Sequence, residues 1–418
     1  MSTSQNRAPR RAKGALEALN FFMADMQAGI GPFLGVFLQQ RGWATGAIGL
    51  VMTLGGVAGM AVTAPAGALV DATTRKRTYV ILSGLFTVLA SGLIWVSQSF
   101  WVIATSQVAT AIAGAAIGPA VAGITLGIAR QKGFNRQNGR NQAFNHAGNM
   151  IGAGLSGLLG WKLGFIAIFW LAAAFGLLSV VSVMLIPAKA IDHRAARGLE
   201  EASGGDDQAK GWKVLLECKP LLVLAGALGL FHLGNGAMLP LFGMAVASSH
   251  KGDPALVVAM TIVVAQAVMI LAALFAMMLA ERRGYWLVLL ITFIALPIRG
   301  LVAASAIHGW GIYPVQILDG VGAGLQSVAV PGLVARILAG TGRVNVGQGA
   351  VMTVQGTGAA LSPALGGAIA QVVGYRIAFI ALGGFALGSL LLWLMFRSLL
   401  KPACAKIEDR STPVTVAA

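Results

Sequence analysis

Five ionisable side chains lie inside long apolar stretches of this sequence, where a charge is costly. They are Asp25, His146, His232, Arg299 and Asp319. An ionised group is expensive to place in hydrocarbon, so an ionisable residue in an apolar span is a candidate for binding or proton transfer. The isolated carboxyl of Asp25 suits the binding of protons, and the alternative is a carboxyl hydrogen-bonded within a packed bundle. A lone histidine such as His146 is more often a structural hydrogen-bonding residue than a proton carrier.

Arg299 and Asp319 are expected to form an ion pair, because they lie at the same depth of neighbouring antiparallel spans. Each lies about eight residues from the outer end of its span, which at 1.5 Å per residue is a depth of about 12 Å. Mutual neutralisation would explain why both charges are tolerated. A structural or gating pair is favoured over a substrate site. If Arg299 instead faced a cavity alone, an anionic substrate would be the better interpretation.

Amide side chains form a second group that could bind a ligand. Asn141, Asn145 and Asn149 recur every fourth residue and therefore lie on one face of a helix. His146 lies on a neighbouring stripe of the same helix, and Gln355 is the repeat partner of Asn145 in the internal repeat of the chain. Asn145, His146, Asn149 and Gln355 are candidates for a substrate cavity. Contacts that hold helices together are the favoured alternative for the asparagine face, since interhelical amide bonds are common in bundles.

The elements that must position these residues are apolar helices. The chain has 418 residues, of which 57% are hydrophobic and 11% charged, whereas a soluble domain carries about 25% charged residues. A helix needs about 20 apolar residues to cross a bilayer, and no alternating pattern indicates a β-barrel. The sequence therefore predicts an all-α membrane protein with twelve transmembrane helices. They lie at roughly 15–37, 46–70, 78–98, 101–127, 142–161, 164–186, 221–246, 255–279, 286–307, 310–335, 347–371 and 375–398.

One long hydrophilic stretch divides six predicted spans from six. The predicted organisation is a cytoplasmic tail, a six-helix bundle, a flexible cytoplasmic linker with short helical pieces, a second six-helix bundle and a second cytoplasmic tail. Their bounds are 1–14, 15–187, 188–219, 220–398 and 399–418.

The Lys and Arg residues set the expected orientation. Of these 30 residues, only Arg41, Lys162, Lys251 and Arg376 fall in predicted outer loops, and Arg299 falls inside a span. By the positive-inside rule both termini lie in the cytoplasm, and we expect a multi-pass protein of the inner (cytoplasmic) membrane. The pI of 10.6 does not indicate nucleic-acid binding, because the bases form short clusters between apolar runs without interleaved aromatics.

The two halves of the chain carry an internal repeat. A shift of 210 residues places Gly148 on Gly358, and a shift of 208 places Gln27 on Asn235. Two halves with the same order of features imply two pseudo-symmetric six-helix bundles, related by an axis along the membrane normal. His232 lies on the same helix face as Asn235. We therefore assign Gln27, His232 and Asn235 to a central substrate cavity.

A loop motif after the second predicted span connects these features to a known family. The family pattern is G-x-L-a-D-r-x-G-r-K, which this chain matches at Gly67, Leu69, Asp71, Arg75 and Lys76, with a degenerate second copy at Glu281, Arg282 and Gly284. On these motifs the chain resembles the major facilitator superfamily over its whole length. The resemblance implies a cytoplasmic gate, in which Asp71 meets Val346 to Gly349 and Glu281 meets Asn138 to Asn141 when the inner side is closed.

The sequence favours a secondary transporter that moves a small organic molecule by alternating access, coupled to protons and directed outward. The alternatives are proton-coupled uptake of a metabolite or organic anion, and a non-transporting receptor or scaffold on the same fold. No enzyme is expected, since the sequence has no G-x-x-x-x-G-K-[ST] loop and no catalytic constellation. No cofactor or metal is expected, since no His and Cys cluster has ligand spacing. The expected partners are a small-molecule substrate, protons and the lipid bilayer, without nucleic acid, and the expected state is a monomer.

Overall fold

A computed structural model of the chain describes residues 7–28, 31–193, 195–197, 218–249, 253–338 and 344–405. This part of the chain is helical and contains no strand. Short 3-10 turns lie at Ala188–Ala190, Ala195–Arg197 and Gly309–Gly311. The α-helices are α1 (Arg7–Ala28), α2 (Gly31–Gln39), α3 (Thr45–Ala72), α4 (Lys76–Val96), α5 (Phe100–Ala115), α6 (Ile117–Leu163), α7 (Phe165–Met184), α8 (Lys219–Asn235), α9 (Met238–Ser248), α10 (Pro254–Arg283), α11 (Tyr285–Ser305), α12 (Ile312–Ile337), α13 (Val344–Val373), α14 (Tyr375–Met395) and α15 (Arg397–Cys404).

Each predicted span coincides with helix, so the chain has the all-α membrane fold that its sequence predicts. Within the described residues, nine helical segments are long and apolar enough to cross a membrane by length and composition. Predicted spans one, five and eleven are not among these nine segments. Predicted spans five and eleven are rich in amides and glycines, which lowers their hydropathy.

The segment between residues 127 and 142, expected as an inner loop between predicted spans four and five, is helical on both sides of a break at Arg130. α6 is two helices that meet there, since the φ of 54° and ψ of 173° of Arg130 depart from helical values. The segment is rich in Arg, Lys and Gln, which have high helix propensity. The first helix ends close to the predicted end of span four, whereas the second begins well before the predicted start of span five.

Predicted span seven is a broken helix. Its two parts, α8 and α9, are separated at Gly236 and Ala237. At this break the backbone N–H of Ala237 donates to Ser362 Oγ at 2.8 Å. This bond satisfies a donor that the interrupted helix leaves without an intrahelical acceptor.

By their contacts, the described residues form two compact units. Unit 1 comprises those within Met1–Gln40, Leu54–Gly204 and Asp253–Val263, and unit 2 those within Arg41–Thr53, Gly205–Gly252 and Val264–Ala418. Each unit therefore includes the first part of one long helix, α3 or α10, from the other half of the sequence.

In unit 1, α1 packs against α6 and α7, and α4 packs against α5. Leu16 and Leu19 of α1 and Ile124 of α6 are fully buried in its core. The helices approach most closely where a glycine leaves room, because a Cβ on Gly148 would collide with the carbonyl oxygen of Phe21. Such small-residue contacts let helix backbones pack tightly in a membrane.

In unit 2, α8 packs against α13 and α14, and α11 packs against α12 and α14. A Cβ on Gly358 of α13 would collide with the carbonyl oxygen of Gly229 on α8. Gly148 and Gly358 differ by 210 positions, and Phe21 and Gly229 by 208. These are the two shifts of the sequence repeat, so the same close helix crossing recurs in both units.

Candidate functional site

Unit 2 holds a buried ion pair between α11 and α12. Arg299 Nη1 lies 2.8 Å from Asp319 Oδ1, with side-chain exposures of 1% and 17%. The guanidinium also donates to Asn235 Oδ1 on α8, and its Nη2 lies 3.5 Å from Gln316 Oε1 on α12. Three helices thus hold one cation among one carboxylate and two amide oxygens, and the charge of the group is balanced.

A second set of contacts surrounds His232, one turn before Asn235 on α8. Its Nε2 lies 3.2 Å from Gln326 Oε1 on α12 and 3.2 Å from Gln355 Nε2 on α13. Phe231 packs edge-on against the imidazole with ring centroids 5.4 Å apart. The imidazole therefore joins α8, α12 and α13, backed by a buried aromatic ring.

Three buried N–H groups of this region find no acceptor among the described residues. They are Arg299 Nε, Gln316 Nε2 and Gln326 Nε2. Gln316 is fully buried and Gln326 is 7% exposed, so bulk water reaches them poorly. Since an unpaired buried donor is costly, each marks a place where a further hydrogen-bond acceptor would be favourable.

We call seven residues the unit 2 cluster. Four are half-buried, namely His232, Asn235, Asp319 and Gln355, and three are buried, namely Arg299, Gln316 and Gln326. The sequence had assigned His232 and Asn235 to a cavity, Gln355 to a candidate cavity, and Arg299 with Asp319 to an ion pair. The cluster brings all five of them together and adds Gln316 and Gln326, which the sequence reasoning missed. Two amides ten residues apart within the apolar span of α12 were the available signal.

The amide face of α6 in unit 1 makes a different set of contacts. Asn141, which is 2% exposed, donates to Thr125 Oγ1 at 3.0 Å. Asn145 Nδ2 lies 3.3 Å from the carbonyl oxygen of Asn20 on α1, and Asn149 donates to Asn145 Oδ1 at 3.2 Å. These bonds join turns of α6 to one another and to α1, as expected for residues that hold helices together. His146 is half-buried beside them.

A buried carboxylate in unit 1 was not singled out from the sequence. Glu17 of α1, 6% exposed, forms an ion pair of 2.9 Å with Arg140 and accepts from Gln137 at 3.2 Å. Gln137 also donates to Asn141 Oδ1 at 3.1 Å. Glu17 is therefore fixed to α6 by charge and by hydrogen bonds.

Three predicted residues lie outside the described side chains. α1 includes the backbone of Asp25 and Gln27, and α3 includes that of Asp71, but the structure describes none of these three side chains. The roles predicted for them, proton coupling, cavity lining and cytoplasmic gating, stay predictions.

Two bases in and next to the loop motif, Lys76 and Arg77, cap helix ends. Lys76 is 1% exposed and donates to the carbonyl oxygen of Val70 at 2.6 Å. Arg77 donates to the carbonyl oxygens of Val183 and Met184 at the end of α7, at 3.2 and 2.9 Å. Cations are favourable at the carboxyl ends of helices. Two neighbouring bases therefore fix helix ends within unit 1.

The remaining residues of the loop motif and of its second copy lie within or at the ends of helices. Gly67 is half-buried within α3, and Arg75 is exposed. Glu281 and Arg282 are exposed near the end of α10. Gly284 follows with φ of 76°, a conformation that favours glycine. Within the described residues, no group of three His, Cys, Asp or Glu side chains could hold a metal ion.

Comparison with known proteins gives a consistent assignment. A family model described as Major Facilitator Superfamily matches residues 16–344. Relatives from two strains of Mycobacterium tuberculosis, both named as uncharacterized MFS-type transporters, are 36% identical over 414 residues, which is 99% of this chain and 99% of theirs.

Solved structures share the fold at low sequence identity. A mutant of the nucleoside transporter NupG has a TM-score of 0.78 at 13% identity, covering 92% of this chain and 99% of its own. A bacterial homologue of the human drug peptide transporters PepT1 and PepT2 has a TM-score of 0.69 at 15% identity, covering 95% and 100%. The family match and the mycobacterial relatives agree with this likeness in fold. This chain belongs to the Major Facilitator Superfamily.

Proposed function

We propose that this protein exports a small organic molecule in exchange for protons and binds that molecule at the unit 2 cluster. Its family membership and its transporter relatives make it a secondary transporter and an integral multi-pass membrane protein. The identity of the site, the coupling to protons and the outward direction are the proposed parts. We also place both termini in the cytoplasm, on the distribution of Lys and Arg.

The observation that carries the proposal is the arrangement of the unit 2 cluster. His232, Asn235, Asp319 and Gln355 are half-buried, whereas the polar residues behind them are buried and bonded to them. Polar groups inside membrane spans are costly, so such a graded set indicates a binding function. A receptor or scaffold that carried nothing would be more stable with apolar side chains at these positions.

Asp25 is the proposed carrier of coupling protons. It is an acid within the first apolar span, and a carboxyl in such a setting binds and releases protons as its surroundings change. We further infer from the family's loop motif that Asp71 and Glu281 hold the cytoplasmic side closed. Alternating access would then expose the substrate to each side of the membrane in turn.

Proteoliposomes with an imposed pH gradient test this function directly. A compound panel is screened for movement driven by the gradient, and reversing the gradient tells export from uptake. Asp25→Asn should abolish pH-driven movement and leave substrate exchange largely intact. Glu17→Gln is the matched control, because it alters another acid of α1 that is bonded to Arg140 and Gln137. If folded wild-type protein moves no compound, the scaffold interpretation prevails, and if Asp25→Asn is still driven by pH, another group carries the proton.

A further inference from the structure

We infer that the transported molecule is electrically neutral and presents a hydrogen-bond donor and an acceptor side by side, as a carboxamide or a lactam does. Gln326 and Gln355, which lie on either side of His232, would form hydrogen bonds with these two groups. This inference rests on the proposed function and narrows it to a class of substrate.

The charges of the unit 2 cluster exclude an ionic mode of recognition. Arg299 lies 2.8 Å from Asp319, and its remaining bonds go to the neutral amides of Asn235 and Gln316. A carboxylate substrate, even one that accepted from the unpaired Nε of Arg299, would add a second negative charge beside Asp319. A cation would compete with Arg299 for the same carboxylate. Either leaves one buried charge uncompensated, which is strongly unfavourable.

The geometry around His232 leaves one amide group in excess. Its Nε2 is a single in-plane site, which in a neutral imidazole is either an N–H donor or a lone-pair acceptor. As a donor it bonds to Gln326 Oε1, and as an acceptor it receives a bond from Gln355 Nε2, both at 3.2 Å. In either tautomer, one of the two glutamines keeps a polar group that the imidazole does not bond.

The second amide atom of Gln326 completes the argument. Its Nε2 is buried and finds no acceptor among the described residues, while its Oε1 lies beside His232. A ligand acceptor facing this N–H would remove the cost of an unpaired buried donor. The ligand's own donor would meet an amide oxygen, either Oε1 of Gln326, which has two lone pairs and uses at most one for His232, or Oε1 of Gln355. A purely apolar molecule would leave both unpaired, and is disfavoured.

Isosteric probes that differ only in charge test this inference. Benzamide, benzoate and benzamidine share one shape and are respectively neutral, anionic and cationic at pH 7, and nicotinamide and nicotinate form a second matched pair. Purified full-length protein in proteoliposomes is assayed for transport of each probe and of the wider panel. We expect the amides, or other neutral panel members with adjacent donor and acceptor groups, to be moved in preference to the ions.

Variants connect the preference to the named residues. Gln326→Leu and Gln355→Leu should each weaken binding of the neutral probe about tenfold, the loss expected for one hydrogen bond. Ser327→Ala is the control, since Ser327 neighbours Gln326 on α12 and its hydroxyl donates to Gly324 of its own helix at 2.8 Å. Gln326→Glu, which keeps the shape and adds a negative charge, should shift the preference from benzamide towards benzamidine. Thermal unfolding of each variant verifies that it is folded.

The outcomes separate the inference from the function on which it rests. Transport of ions in preference to neutral molecules overturns the inference and leaves the transporter function standing. Transport of neutral molecules that is unchanged in folded Gln326→Leu and Gln355→Leu also overturns it. Failure of folded wild-type protein to move any panel member defeats the proposed function, and the inference with it.

Discussion

The amide cluster of unit 1 and the unit 2 cluster use similar side chains for different purposes. In unit 1, Gln137 and Asn141 bond to each other, to the carboxylate of Glu17 and to Thr125. In unit 2, Gln316 and Gln326 are equally buried but keep N–H groups without an acceptor among the described residues. The first arrangement joins helices, whereas the second has hydrogen-bonding capacity to spare.

The sequence repeat shows how this difference arose at one position. Asn145 and Gln355 are repeat partners at a shift of 210, and Ala24 and His232 are partners at the shift of 208 that relates spans one and seven. In unit 2, Gln355 forms a hydrogen bond with His232. In unit 1 the position equivalent to His232 is the apolar Ala24, and Asn145 bonds to the backbone of Asn20 instead. An amide at an equivalent place thus contacts a side chain in one unit and a main chain in the other.

The charged pair shows the same divergence. At the shift of 210, Arg299 corresponds to Leu89 and Asp319 to Ala109. Both units keep the close glycine crossing between repeat-related helices, but this ion pair belongs to unit 2. The duplicated helices therefore supply a common scaffold, and the polar chemistry was placed on it separately in each half.

Removal of one partner of the ion pair should give the largest effect. Asp319→Ala leaves Arg299 buried without its counter-charge, and Arg299→Ala leaves the converse. Each should lower the free energy of unfolding by up to about 3–5 kcal/mol, with the lower end expected because Asp319 is 17% exposed. Thermal and denaturant unfolding in detergent measure the loss.

The reversed pair and an exposed arginine provide the controls. Arg299→Asp combined with Asp319→Arg should recover part of the lost stability, because opposite charges again face each other. Arg376→Ala, at an exposed position, should change the free energy of unfolding by about 0.5 kcal/mol or less. Single variants as stable as the wild type would show that the pair carries no stability, and unit 2 would lose its main distinction from unit 1.

Substitution of one amide in each cluster should affect stability less than loss of the ion pair, and the effects should differ between the two clusters. Asn141→Leu removes bonds to Thr125 and Gln137 and should cost about 1–3 kcal/mol. Gln326→Leu removes an amide whose N–H is already unpaired, so its stability should stay within about 0.5 kcal/mol of the wild type or rise. Transport should follow the reverse order, with the folded Asn141 variant active and the Gln326 variant impaired. Equal losses of stability in both variants would contradict the distinction between the two clusters.

The sequence predicted the helices well, because apolar length and the lack of alternation leave few other folds for such a chain. The sequence also singled out the charged residues of the unit 2 cluster and those on repeat-related faces, and their role in binding stays a prediction. The equal distance of Arg299 and Asp319 from the ends of neighbouring predicted spans was enough to predict their pairing, and their side chains lie 2.8 Å apart.

Other contacts could not be read from one sequence, because they depend on partners far along the chain. Glu17 lies near a span end, and its partner Arg140 stands 123 residues away in a segment expected to be a loop. Lys76 was assigned to the loop motif, although the structure shows it buried and bonded to the last turn of its neighbouring helix. Sequence pattern gives the face of a helix, and tertiary packing decides which acceptor a side chain reaches.

The smallest expected effect concerns the two arginines that hold the segments following α7 and α14. In unit 1, Arg130 pairs with Asp192, with exposures of 64% and 33%. In unit 2, Arg336 donates to the carbonyl oxygens of Cys404 and Ala405 at the end of α15. Its guanidinium lies 4.6 Å from the ring centroid of Tyr285. An exposed pair contributes little, so only the second contact should matter for local order.

Cys404 reports whether α15 is docked. Its side chain is 1% exposed, and burial raises the pKa of its thiol to about 12, partly opposed by Arg336. A thiol with a raised pKa stabilises the docked state below its ordinary value of 9.0, and this contribution is lost as the pH rises through about 12. Because maleimides react with accessible thiolates, Cys404 in a Cys218→Ser background should be almost unreactive near neutral pH.

Arg336→Ala should release α15 and make Cys404 reactive, with its apparent pKa moving from about 12 towards 9.0, while the free energy of unfolding falls by only about 1 kcal/mol. Arg130→Ala is the matched control from unit 1 and should leave both the labelling rate and the stability unchanged within about 0.5 kcal/mol. Labelling followed by mass spectrometry across a pH series measures the rate for each variant. If Arg336→Ala does not speed the labelling of Cys404, apolar packing of Leu400 and Ala403, both buried on α15, is sufficient to dock the helix. The arginine would then be as dispensable in unit 2 as its exposed counterpart is in unit 1.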